Sequence, residues 1–474
     1  MHESDEARAV FEIQRAALRA DGVATAPARL DRLDRALDLL VSHQAEICEA
    51  IAADFTRRAA TLTRFADVLP SVLALKHARR HLRRWMRPQR QRLGLPAGAP
   101  GVRAEIVHQP LGVVGVISPW NFPITLTFGP LAGILAAGNR CMIKPSELTP
   151  AVSSLLRRLV RKYFDASEVA VVTGDAEVAQ AFSRLPFDHL LFTGSTSVGR
   201  RVMAAAAENL VPVTLELGGK CPVLIGRSAD LKRAVDRIML GKLGNAGQMC
   251  IAPDYVCVPD ELLDGIIQEA RSWVERAYPA TSTNPDYTSM VSDRHAERMR
   301  ALLADALAKG ARLIFLDPRG DGRPASGRVV SPALILDATD EMRVMQEEIF
   351  GPLLPLRTYR RIEESIAEIN ARPRPLALYY FGTDRTEMQQ VLAHTISGGV
   401  TVNDIAMHFL AEELPFGGIG ASGMGAYHGA HGFLRFSHAR AVFYQGRINV
   451  AGLAGLRPPY GKRAERVLNW LIRR

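Results

Sequence analysis

Cysteine is scarce in this sequence. There are five in 474 residues (Cys48, Cys141, Cys221, Cys250 and Cys257), an odd number with no C-x-x-C pair among them. That excludes a disulfide framework and a cysteine-built zinc site, so no metal is expected, and it points to a reducing compartment. Long apolar runs are also missing. The longest, around Leu111 and Leu131, are interrupted by Gly, Ser, Pro or Asn short of the ~20 residues needed to cross a bilayer. The chain opens with the acidic Met1-His-Glu-Ser-Asp-Glu6, without the basic and apolar regions of a secretory leader. No membrane span, no signal peptide and a cytoplasmic location are therefore expected. Internal repeats and low-complexity tracts are absent as well.

What is present is length and alternation. A chain of 474 residues exceeds what one hydrophobic core of ~250 to 300 residues serves, so two or more domains are expected, and a hydrophobic content of 47% is enough to fill them. The net charge of +10 favours anions, among them a phosphate-bearing cofactor. Residues 30 to 84 read as helical, with Leu33, Leu37, Leu40, Ile47 and Ile51 recurring at three- to four-residue steps. Pro88 to Gly101 reads as a linker or arm, and Arg103 to His108 as a strand after it. Strand-length runs then alternate with helical patterns: Val113 to Ser118, Cys141 to Lys144, Val169 to Thr173, His189 to Thr193 and Val213 to Leu217. Such alternation predicts an α/β fold with a parallel sheet covered by helices. A second, looser α/β region follows, with a helix over Ala296 to Lys309 and strands near Leu334 to Leu336 and Leu378 to Phe381. Glycine is so dense from Pro415 to Gly432 that no regular element is expected there, and Phe433 to Gln445 reads as a strand.

Chemistry concentrates in a few strings. Asn245-Ala-Gly-Gln-Met-Cys250 flanks a thiol with glycine and amides that could expose it, whereas the other four cysteines lie in helical, strand-like or turn contexts that packing explains. Glu216 ends an alternating strand just before Gly218-Gly219. A solvent-facing strand residue is the plain reading, but the carboxyl edge of a parallel strand is where open α/β sheets place ligands. Asn121, within Pro119-Trp120-Asn121-Phe122-Pro123, supplies a side-chain amide able to hold an oxyanion, and Glu347-Glu348-Ile349-Phe350 pairs carboxylate with ring. Gly194 and Ser195 sit between a strand and a helix, where helix amides could receive a pyrophosphate. Lys144 and Glu147 end an earlier strand and would suit a phosphate or ribose hydroxyls. Lys76 to Arg92 holds eight Lys or Arg, two His and no acid, and is read as a solvated helix face with no nucleic-acid partner. The basic, amphipathic Arg463 to Arg474 is expected to pack on the core rather than on a membrane.

Five separated strings in this order resemble the aldehyde dehydrogenase superfamily over about residues 30 to 461. Pro415-Phe-Gly-Gly-Ile-Gly-Ala-Ser-Gly-Met-Gly-Ala-Tyr427-His428-Gly429, Arg457-Pro-Pro-Tyr-Gly461 and the short N-terminus look like its class-three branch. Leu69 to Pro88 and Ile251 to Val256 look most like the coniferyl aldehyde dehydrogenase group. The resemblance implies a Rossmann-like cofactor domain (residues 1–86 and 109–217), a catalytic domain (218–404) and bridging segments (87–108 and 405–474) that join two subunits of a homodimer. It implies that Cys250 is the nucleophile, Glu216 the base for water and Asn121 an oxyanion donor. Lys144, Glu147, Gly194 and Ser195 would hold the adenosine half of NAD, with NADP as the alternative, Glu348 and Phe350 the nicotinamide ribose, and Trp120 the cleft wall. The expected reaction is oxidation of an aldehyde, aromatic such as coniferyl aldehyde, to its acid through a thiohemiacetal and thioester. The alternative is a broad medium- or long-chain aliphatic aldehyde dehydrogenase. A coenzyme A-acylating relative would have no need of Glu216.

Overall fold

A computed structural model of the chain describes residues 3–94, 101–317, 327–447 and 450–473. Part of the Pro88 to Gly101 arm, and Arg474, lie outside these.

The helical pattern resolves into Ala26–Ser42, Gln44–Phe55 and Leu69–Trp85; of its periodic residues Leu33, Leu40, Ile47 and Ile51 are at most 1% exposed, and Leu37 is half-buried. Between the last two lies Arg64–Val68, five residues wound as a π-turn. The helix Leu69–Trp85 carries its arginines on the solvent side, the solvated face expected from its charge run.

Three sheets organise the rest. In the first, Val169–Val171, Arg140–Lys144, Val113–Ile117, His189–Gly194 and Val213–Leu217 run parallel in that spatial order, and Gly423–Met424 closes the edge antiparallel to the last. The strands are buried on both faces, as parallel sheets covered by helices require. The second sheet has seven strands, in the order Arg312–Phe315, Ala333–Leu336, Leu353–Tyr359, Tyr255–Pro259, Pro222–Ile225, Ala377–Phe381 and Gly399–Val402, all parallel except the first. The third pairs Arg103–Pro110 with Gln89–Gln91 on one side and Ser437–Tyr444 on the other. One cluster of buried side chains draws on both large sheets, from Val114 and Leu191 to Val223 and Leu356, so the edges that carry the site share one packed support.

Two local readings change. The glycine-dense stretch contains the two-residue strand Gly423–Met424, and glycine is what allows it. Gly423 adopts φ +139, and a Cβ there would collide with the Leu215 carbonyl oxygen. Phe433 falls in the short helix Gly429–Arg435 rather than in the strand, which starts at Ser437. It is buried against Trp85 and His108, so packing fixed it and not strand alternation. The terminal helix Lys462–Ile472 buries Ala464 but leaves Trp470 and Ile472 mostly exposed, so it packs less fully than its amphipathic pattern suggests.

Candidate active site

The loop that carries Cys250 begins where helix Leu231–Leu243 stops at Gly244. Asn245 and Ala246 both have φ +51 and Gly247 has φ +74, three successive left-handed residues. Side-chain-bearing residues there cost about 1–3 kcal/mol each and persist only where neighbours enforce them. Gln248 is the enforcer. Fully buried, it donates through Nε2 to the Asn245 carbonyl (2.9 Å) and the Ser289 carbonyl (3.1 Å) and accepts from the Val291 N–H (2.9 Å). Gly247 has no alternative, because a Cβ would strike the Gly351 carbonyl oxygen. The loop is tied from behind by Cys221, whose thiol donates to the Cys250 carbonyl at 3.4 Å, and by Tyr379, whose hydroxyl donates to the Ile251 carbonyl at 2.6 Å. Cys250 itself is half-buried, and the other four cysteines are buried.

Glu216 faces inward rather than toward solvent, with 1% of its surface exposed. Its strand aligns it with Thr193 on one neighbour and Gly423 on the other. Both carboxylate oxygens are buried without a hydrogen-bond partner, and burial pushes the acid up to about 7. The Cys250 thiol and the Thr193 hydroxyl lie close enough to pull it part of the way back without forming regular hydrogen bonds. In turn burial, and then the Glu216 charge, hold the Cys250 thiol well above its ordinary range. At neutral pH this places a protonated thiol beside a carboxyl group near its titration midpoint.

Asn121 is buried next to this pair. One proton of its side-chain amide goes to the Gln248 carbonyl (3.2 Å), two residues before Cys250, and an amide nitrogen has a second proton to give. Its neighbour Trp120 stands edge-on to Phe350 (ring centroids 5.4 Å apart) and to His295 (5.0 Å). Glu348 lies against Gly218 and Gly219. The Gly219 backbone lies near enough to favour its charged form, and a Cβ on Gly218 would occupy the position of its carboxylate. Burial first, and the charge of Asp254 second, push Glu348 up to about 8.

The remaining sequence candidates gather at the carboxyl ends of the first sheet. Lys144 ends its strand buried, with Nζ donating to the Pro145 carbonyl (2.8 Å) and 3.6 Å from the half-exposed Glu147 carboxylate. Gly194 ends the adjoining strand but one. Ser195 follows as the exposed first cap of helix Thr196–Ala207, and its side chain makes no capping bond, so the leading amides stay available to an anion. A cation, a solvent-facing carboxylate, uncapped helix amides and the Trp120 ring along one sheet edge are a donor set that fits a nicotinamide dinucleotide.

Sequence reasoning missed the support beneath the site. Lys220 bonds Asp254 and donates to the carbonyls of Val344 (2.6 Å) and Glu347 (3.2 Å), while Asp254 accepts from the Ile349 N–H (2.9 Å). Lys242 is buried beside this pair, and burial lowers it to about 8. Lys220 had a signal in its place within Glu-Leu-Gly-Gly-Lys, and Gln248 one as an amide beside Cys250, though not for the bonds it makes; Thr193, Asp254, Lys242 and His295 had none that a single sequence shows. Among the described residues no cluster of His, Cys, Asp or Glu could hold a metal ion, and no helix is long and apolar enough to cross a membrane.

The aldehyde dehydrogenase family profile matches residues 1–442. A probable coniferyl aldehyde dehydrogenase of Caulobacter vibrioides is 53% identical over 468 residues, 98% of this chain and 96% of the relative. The coniferyl aldehyde dehydrogenase of a Pseudomonas species is 50% identical, over 95% of this chain and 93% of the relative. Among solved structures, the substrate-bound state of Staphylococcus aureus AldH superposes with a TM-score of 0.91 at 36% identity, covering 98% of this chain and 99% of that one. An NAD-dependent aldehyde dehydrogenase from Sinorhizobium meliloti gives 0.84 at 26%, covering 94% and 88%. Matched by the family profile and by relatives 50% and 53% identical over nearly its whole length, the chain belongs to the aldehyde dehydrogenase family and is an NAD(P)-dependent enzyme that oxidises aldehydes to acids.

Proposed function

We propose that the substrate is an aromatic α,β-unsaturated aldehyde of the coniferyl type, oxidised through Cys250, Glu216 and Asn121. The observation that carries the catalytic roles is a buried carboxylate with no partner of its own, poised near neutrality against the one accessible thiol. The Cys250 proton passes to Glu216 as the sulfur attacks the aldehyde carbon. The Asn121 amide and the Cys250 N–H hold the resulting oxyanion. Bound NAD(P) supplies the hydride acceptor. Collapse of the oxyanion leaves a thioester on Cys250. Glu216 releases the first proton to solvent and, ionised again, takes one from water as the water adds to the thioester; that proton passes to the departing sulfur, so the acid leaves with the thiol restored.

Lys144, Glu147, Gly194 and Ser195 take the adenosine half of the cofactor in this reading. Glu348 and Phe350 take the nicotinamide ribose, and Trp120 lines the cleft. The half-exposed Glu147 favours ribose hydroxyls over a ribose phosphate, hence NAD over NADP. Residues 1–86 and 109–217 then form the cofactor domain, 218–404 the catalytic domain, and 87–108 with 405–474 the bridge of a cytoplasmic homodimer. The outer strand Ser437–Tyr444 supports the dimer, since it is an unpaired sheet edge with Phe443 and Tyr444 substantially exposed. Light scattering at micromolar concentration is expected to give twice the 51.9 kDa chain mass, and a monomer mass would refute it.

Substrate choice rests on the two relatives named above and on Gly129, where a Cβ would meet nothing within 4 Å and no bulky side chain intrudes. Burying ~150 Å² of ring at about 25 cal/mol per Å² is worth up to ~3 to 4 kcal/mol, of which the transition state realises part. About 1.4 kcal/mol suffices for tenfold. A panel read by reduced-nicotinamide absorbance should show coniferyl and cinnamyl aldehydes exceeding acetaldehyde by about tenfold in kcat/KM. Hexanal or decanal outperforming both would replace this reading with a broad aliphatic enzyme.

A further inference from the structure

Arg58 and Asp67 form an ion pair with both side chains fully buried, Nη2 to Oδ2 at 2.5 Å. Such pairs are expensive to desolvate and are weak contributors to stability, so their placement needs a reason. Each has a second bond, and both second bonds go to the loop that carries Asn121. Arg58 Nη1 donates to the Asn121 backbone carbonyl at 2.7 Å. The other Asp67 oxygen accepts the backbone N–H groups of Ile124 (3.1 Å) and Thr125 (3.3 Å), the start of helix Thr125–Ala137. The guanidinium is wedged between the rings of Phe55 (5.0 Å) and Phe122 (4.9 Å), so it has no room to swing. Asp67 is presented by the π-turn Arg64–Val68, a costly interruption that helices retain mostly where a side chain must be re-aimed. On its far side the same loop is held by the nucleophile loop: Asn121 Nδ2 donates to the Gln248 carbonyl, and Asn245 Nδ2 donates to the Asn121 carbonyl at 3.2 Å.

We propose that the Arg58–Asp67 pair is a positioning device for the oxyanion donor, clamping residues 121–125 so that the free proton of the Asn121 amide points at the carbonyl oxygen of an aldehyde bound to Cys250. The pair reaches neither substrate nor cofactor; it acts through Asn121. This inference rests on the oxyanion role given to Asn121 above. The fork geometry is essential, because one planar cation must meet a carboxylate and a carbonyl at once, which a lysine ammonium on a flexible stem does not reproduce.

The test is a double-mutant cycle read by rapid mixing, with the acylation rate taken from the first equivalent of reduced cofactor. Arg58→Lys is expected to slow acylation by about 10- to 100-fold, as small misplacements of catalytic groups do, with the KM for NAD unchanged. Asn121→Ala alone should cost about 10²- to 10³-fold. With both changes present, Arg58→Lys should add less than about twofold, because the group it positions is gone. Alkylation of Cys250 by iodoacetamide, a displacement that builds no oxyanion, should proceed at the wild-type rate in every variant. Since a lone buried charge could unfold the chain, Arg58→Met with Asp67→Leu removes both charges together. That variant should melt cooperatively and still acylate slowly. Multiplying losses in the cycle, alkylation slowed in step with acylation, or wild-type acylation in the charge-free variant would each overturn the clamp. Full activity in Asn121→Ala alone would overturn the oxyanion role itself, and the clamp with it.

Discussion

Cys250→Ser should lose at least about 10³-fold in kcat/KM for every aldehyde, equivalent to more than about 4 kcal/mol of transition-state stabilisation. The reason lies in the base as much as in the nucleophile. Glu216 titrates near 7, and burial already holds the native thiol well above its ordinary range, so the proton is removed only as the sulfur attacks. An alcohol in the same pocket starts far higher and is a poorer nucleophile once ionised. Rapid mixing should show no burst of reduced cofactor. Cofactor binding, followed by quenching of protein fluorescence, should match the wild type, since the edge proposed for the dinucleotide, Lys144 to Ser195, belongs to the first sheet and the Cys250 loop leads into the second. Turnover within tenfold of the wild type would remove Cys250 from the mechanism.

Cys250, Glu216 and Asn121, which the fold brings together, could be picked out from the chain because they lie in short strings whose local grammar is unusual. Glycine and amides flank Cys250, a Gly-Gly kink follows Glu216, and Asn121 stands between an aromatic and a proline turn. The parallel sheet was legible for a related reason, since its strands are buried on both faces and read as unbroken apolar runs between helices. Contacts over long sequence separations were not legible. Arg58 looks like one more surface arginine until the fold seals it against a carbonyl 63 residues away. Asp254 and Lys242 carry no local mark, and the string around Cys250 does not show which bonds Gln248 makes, because what makes these residues structural is the pairing supplied by strands and loops remote in sequence. The edge strand Gly423–Met424 was hidden by the glycines that make it feasible, as a composition that forbids an isolated strand permits one wherever a neighbouring backbone leaves no space for a Cβ.

Glu216→Gln is expected to separate the two halves of the reaction. Removing its charge relieves the second-largest cause of the raised Cys250 pKa, so the thiol can lose its proton to solvent and acylation continues, increasingly so as pH rises above neutrality. Water has no such route, and loss of a general base costs about 10²- to 10⁴-fold in the step it serves. Rapid mixing should therefore show a burst of one equivalent of reduced cofactor followed by turnover slowed by about that factor. The wild-type rate of the hydrolytic step should rise with pH through about 7, where Glu216 ionises. Stability provides an independent reading of the same group. Its folded pKa of about 7 stands above the unfolded value near 4.5, so the native state binds the proton more tightly, and ionisation costs stability progressively as pH rises from about 4.5 to 7. The full difference corresponds to roughly 3 kcal/mol above pH 8. The glutamine variant escapes that cost, so its Tm relative to the wild type should climb between pH 5 and pH 8 while its turnover stays low. A flat Tm difference across that range would mean that Glu216 is ionised throughout and its burial uncompensated by protonation. A vanished burst would assign it to thiol activation alone.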